Sequence, residues 1–81
     1  MSQRLILEIH KTGDGWTARA RGGHHPYLRR RTQRHAITAS AAALRHRWKA
    51  RGALGQLVLH GQNGRIRWER TYGLDPRGRK G

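Results

Sequence analysis

"TQRHAITASAAALRHRWKARG", residues 32–52, decides the fold, because here the spacing of apolar residues changes from the period of a strand to that of a helix. Ile37, Ala41, Leu44 and Trp48 fall within one narrow arc at helical spacing. Arg34, Arg45 and Lys49 flank that arc on one side, and Arg47 and Arg51 on the other. Thr32 suits the N-cap, since its hydroxyl can accept from a free amide of the first turn. Gly52 suits the stop, since glycine enters the left-handed conformation that closes a helix. The segment predicts an amphipathic helix of about 19 residues. Arg45, Arg47, Lys49 and Arg51 crowd its last turns, where they also complement the negative end of the helix dipole.

On both sides of the helix the period is two. In "RLILEIH", residues 4–10, Leu5, Leu7 and Ile9 alternate with Arg4, Ile6, Glu8 and His10, which predicts a strand with one buried face. "KTGDG" follows, and its Asp14-Gly15 pair predicts the turn of a hairpin. Trp16, Ala18 and Ala20 then alternate with Thr17, Arg19 and Arg21 along a second strand. Beyond the helix, "GQLVLH" and "RIRWERTY" flank "GQNG", whose Asn63-Gly64 pair predicts a two-residue turn with both residues at positive φ. Leu57, Leu59, Ile66 and Trp68 are expected toward the helix. Gln56, Val58, His60, Arg65, Arg67, Glu69 and Thr71 are expected on the other face.

These readings predict an α+β domain, a small antiparallel sheet of four to five strands with one helix on one face, in the order β-β-(β)-α-β-β. Residues 1–72 are expected to form that single domain. Residues 73–81, "GLDPRGRKG", with glycine, proline and charge but no apolar period, are expected to form a flexible basic tail. A chain of 81 residues has room for one modest core. Leu, Ile and Val together number only thirteen, a share at which high charge favours disorder, so it is the periodicity that argues for a fold.

The charge is strongly one-sided. Eighteen Lys and Arg oppose four Asp and Glu, a formal net charge of +14. So strong a positive field on so small a surface makes polyanions the expected partners. Fifteen of the eighteen cations are Arg, whose planar fork grips phosphate with two hydrogen bonds where Lys offers a point charge. With the helix on one face, the alternation puts Arg19, Arg21, Arg65 and Arg67 together on the uncovered face. "GGHHPYLRRRTQRH", residues 22–35, adds Arg29, Arg30 and Arg31 beside it.

The order of elements is joined by more specific features. "GW" (Gly15, Trp16) opens the second strand, Thr32 with Ala36 and Ile37 opens the helix, and "LVLHGQNGRIRWERTYGLDP" closes the pattern. In these the chain resembles a small bacterial family, domain of unknown function 2188. The matching positions are Gly15, Trp16, Thr32, Ala36, Ile37, Leu57 to Gly61, Gly64 to Ile66, Tyr72, Gly73, Asp75 and Pro76. The chain departs from the family in a helix rich in Arg and Ala, and in the very basic "HHPYLRRR". The resemblance implies a bacterial or phage origin and a short extra strand near residues 27–31, which would put Arg29, Arg30 and Arg31 on a folded edge. It implies no activity.

The expected function is binding of duplex or structured nucleic acid, DNA or RNA undecided, mainly through phosphate contacts that position without reading sequence. The residues expected to carry it are Arg19, Arg21, Arg29, Arg30, Arg31, Arg65 and Arg67, with Arg45 and Lys49 contributing from the helix. Base stacking needs exposed aromatics, and only Tyr27 is expected outside the core. An oligomerising interaction module is the alternative, with Ile6 and Val58 as a seam for a homodimer. A third reading is a metal-independent ribonuclease drawing on His10, His24, His25, His35, His46 and His60. No enzyme is expected. The four acids, Glu8, Asp14, Glu69 and Asp75, offer little for a carboxylate-held Mg²⁺, and there is no cysteine. Adjacent His24 and His25 cannot complete a tetrahedral zinc site, so neither metal nor cofactor is expected. No apolar run is long enough for a signal peptide or membrane span. The expectation is a cytoplasmic protein without membrane contact, nucleoid-associated if its partner is DNA.

Overall fold

The helix forms where its caps demand. In the computed structural model, which describes residues 4–23 and 25–73, α1 spans Gln33–Arg51. Thr32 caps it, its Oγ1 accepting from the His35 amide at 3.1 Å. Gly52 closes it at φ 67°, donating to the Trp48 carbonyl at 2.8 Å, while Ala53 reaches back to Arg47 at 3.4 Å.

Five strands accompany it: β1 (Leu5–Thr12), β2 (Gly15–Ala20), β3 (Pro26–Arg30), β4 (Gly55–His60) and β5 (Ile66–Tyr72). The class is α+β, and the extra strand before the helix is present. The strands lie in the spatial order β3-β2-β1-β4-β5. β1 with β2, β2 with β3, and β4 with β5 run antiparallel, but β1 and β4 run parallel. The sheet is therefore mixed rather than wholly antiparallel. The reason is connection length. Two hairpins leave β3 running with β1, and α1 carries the chain back along the sheet, so β4 starts in the direction of β1 and pairs with its free edge.

The core lies between α1 and one sheet face. Leu7 sits in register between Ala20 and Leu57, and Ile9 between Ala18 and Leu59. Leu7, Ile9, Ala18 and Leu57 are fully buried, with Leu44 and Ala36 of the helix against them. Trp16 is buried in the same core, and Leu5, Leu28, Ile37, Trp68 and Tyr72 pack against the margins of that core. Small residues Ala36, Ser40 and Ala41 let α1 sit close to the sheet, and burying Leu44 contributes about 2 kcal/mol.

Both turns differ in detail from the pattern in the sequence. The first hairpin turns through Gly13 and Asp14, with Gly13 at φ 56°, because β1 continues to Thr12, which pairs with Gly15. The second turns through a longer loop. The Gly64 amide donates to Gly61 O at 2.9 Å and the Gly61 amide to Arg65 O at 2.8 Å. Only Gly64 takes positive φ, and Asn63 instead accepts the Arg65 amide on its side chain at 3.0 Å. A bulge follows in β5. Leu59 pairs with Trp68 but His60 with Ile66, so Arg67 is the extra residue and the alternation slips. Ile66 is consequently 52% exposed rather than packed against the helix. Val58 is fully buried on the sheet face opposite the helix, flanked by Glu8 and Glu69. Of the tail expected over 73–81, only Gly73 lies within the described residues.

Candidate nucleic-acid interface

The strand directions bring distant basic segments to one end of the sheet. β1, β3 and β4 all run the same way, so the β1–β2 turn, the β3–α1 junction and the β4–β5 loop share that end. Arg29, Arg30 and Arg31 stand at its β3 edge, lining a shallow cleft with Asp14 and Gly15. Arg65 and Arg67 stand at the β5 edge, beside the loop Gly61, Gln62 and Asn63. Arg19 and Arg21 run along β2 and its extension on the face away from the helix, level with Glu8 and Ile6 of β1. The expected set is thus partly gathered: a row on the open face and two groups at opposite edges of one end. The arginines of β3 do not form a single row, since Arg29 lies opposite Thr17 on the open side and Arg30 opposite Trp16 on the helix side. Arg45 and Lys49 are exposed one turn apart on α1 and belong to the helical layer.

The acids of the described residues are all engaged. Asp14 takes Arg29 Nη2 at 3.1 Å, and Glu69 accepts the Gln56 amide. Glu8 holds Arg21 through Oε2 and approaches two imidazoles through Oε1. Arg31, Arg65 and Arg67 make no ion pair among the described residues, so their charge faces solvent. Aromatic availability follows the expectation: Trp16 is buried, Arg70 covers the Trp68 ring at 4.8 Å, and Tyr27 is 46% exposed.

At the centre of the open face lies a cluster that strand periodicity does not reveal. The His60 Nε2 is 3.1 Å from Glu8 Oε1, and the His10 Nε2 is 3.7 Å from the same oxygen. The two imidazoles stack with centroids 4.1 Å apart and planes inclined by 18°. Glu8 and His10 share a face because they are two apart on β1. His60 joins them only because β4 pairs in parallel beside β1, some fifty residues later. The Glu-x-His spacing was the available signal, and the strand order was the missing information. Partial burial alone would raise the Glu8 pKa, but hydrogen bonds and charge from Arg21 and His60 bring it below 4.5. His10 is lowered below 6.5, first by burial and then by the nearby His60, against the pull of Glu8.

A family model described as an uncharacterized protein conserved in bacteria, domain of unknown function 2188, matches residues 8–72 of this chain. No curated protein and no solved structure matches it.

Proposed function

We propose that this chain, which belongs to the bacterial family of domain of unknown function 2188, binds the phosphates of a double-stranded or structured nucleic acid inside the cell. The observation that carries this reading is the imbalance at the open end of the sheet. Asp14 is occupied by Arg29, while Arg31, Arg65 and Arg67 have no carboxylate partner among the described residues. Helix α1 covers only the opposite face, so a long polyanion can lie across the exposed one, touching Arg19 and Arg21 along the way. Each arginine offers a fork of donors to phosphate, and each such contact releases condensed counterions. Contacts of this kind set position and affinity without reading bases. Tyr27 adds one exposed ring at the β3 edge. No described helix is long and apolar enough to cross a membrane, which agrees with a nucleic-acid partner but does not select it.

The test is anisotropy of labelled duplex DNA, duplex RNA and single strands titrated with the protein at several salt concentrations. The expected slope of log affinity against log salt is about −3 to −6 for the preferred duplex. Combined replacement Arg31→Gln, Arg65→Gln and Arg67→Gln should flatten that slope by about 3, one for each phosphate contact. Arg45→Gln with Lys49→Gln, on the helical layer, should change it little. Failure to saturate with any polymer, or an unchanged slope in the triple variant, overturns the proposal.

A further inference from the structure

The tautomer of His60 points to a ligand for the cluster beneath the arginines. Its Nδ1 lies 3.1 Å from the carbonyl of Gly64, and a carbonyl only accepts, so Nδ1 carries a proton. When the ring is neutral, Nε2 therefore turns a lone pair toward Glu8 Oε1 at 3.1 Å, two acceptors face to face. His10 adds a third donor atom, with Nε2 3.7 Å from that oxygen, beyond hydrogen-bonding distance. All three atoms lie within 4.8 Å of one another. Ligands bound at about 2.0–2.1 Å around one ion stand roughly 3–3.5 Å apart, so the Glu8 to His60 spacing already suits coordination.

We propose that Glu8, His10 and His60 bind one divalent transition-metal ion of the zinc type. Two imidazoles and one carboxylate suit borderline metals such as Zn²⁺ or Co²⁺ rather than Mg²⁺ or Ca²⁺, which require more oxygen ligands. The supporting contacts are those that orient metal ligands in general. Gly64 O fixes the His60 tautomer, and Arg21 holds the second oxygen of Glu8. The His10 side chain, 42% exposed, supplies the remaining movement, its ring tilting out of the stack with His60 to aim Nε2 at the ion. The site opens onto a shallow cleft bordered by Arg19 and Arg21, which leaves a coordination position for water or an oxyanion. This inference stands independently of nucleic-acid binding.

The experiment is calorimetric titration of untagged, chelator-stripped full-length protein with Zn²⁺, paralleled by the visible absorption of Co²⁺. One ion per chain is expected, with micromolar affinity. His10→Asn and His60→Asn should each weaken binding by about tenfold or more, the loss that even outer-shell partners of metal ligands produce. Glu8→Gln should do the same, with circular dichroism checking that each variant is folded. His24→Asn combined with His25→Asn, and His46→Asn separately, should bind as the parent does. No saturable binding to the parent protein overturns the proposal. Loss of binding in the His24/His25 variant, with binding retained in the His10 and His60 variants, overturns it as well.

Discussion

The Ser40 hydroxyl is buried in the seam between α1 and the sheet with no hydrogen-bond partner among the described residues. A desolvated hydroxyl without a partner costs stability, and alanine is the better helix former. Ser40→Ala should therefore stabilise the protein by about 0.5–1 kcal/mol. The check is a higher urea midpoint with an unchanged denaturant slope. Gly15 makes the opposite case. A β-carbon there would lie 2.9 Å from the Arg30 carbonyl oxygen, which is backbone of the neighbouring strand and cannot rotate away. Gly15→Ala should cost about 1–3 kcal/mol in the same denaturation experiment, chiefly by separating β2 from β3.

Among the elements, α1 depends most on its ends. No acid lies in its first turn to help the dipole, so the Thr32 hydroxyl is the main support for the free amides there. Thr32→Ala should destabilise by about 1 kcal/mol, measured by thermal or urea unfolding. Helix limits were legible because capping is local chemistry: Thr32 and Gly52 stand where their side chain and backbone are required. Strand β5 was only partly legible. Its alternation reads correctly at Trp68, which packs inward, and fails at Ile66, because a bulge adds Arg67 opposite His60. A bulge depends on how two strands meet across a loop, and no residue of the run from Arg65 to Tyr72 announces it.

For the molecule as a whole, the cluster around Glu8 ties stability to pH. In chelator-treated protein, Glu8 faces Arg21, His60 and His10, while His10 faces His60, Glu8 and Arg19. Both groups have folded pKa values below their ordinary ones, so the unfolded chain binds protons first as pH falls. The His10 contribution is present above 6.5 and fades as pH drops from there through its lower folded value. The Glu8 contribution is present above 4.5 and fades below it. Urea midpoints should fall continuously on acidification from neutrality, and His10→Asn should flatten the upper part of that decline. An unchanged profile in His10→Asn would remove His10 from the account. Strand alternation put Arg19, Arg21, Arg65 and Arg67 together on one face, whereas the fold leaves Arg19 and Arg21 in a row along β2 and sets Arg65 and Arg67 at the β5 edge of one end.

From the sequence came the class of the domain, the helix with both caps, the two hairpins, the inward positions of Leu7, Ile9, Trp16, Leu57, Leu59 and Trp68, and the surplus of arginine. Each is written in short-range periodicity or in side-chain chemistry that acts within a turn. The tertiary structure alone decided that β4 pairs in parallel beside β1, that Val58 is covered while Ile66 is exposed, and that Glu8, His10 and His60 meet. Those facts depend on which strand edge the chain reaches after crossing the sheet through α1. That choice is settled by packing the helix over the whole sheet, an energy shared among residues far apart in sequence.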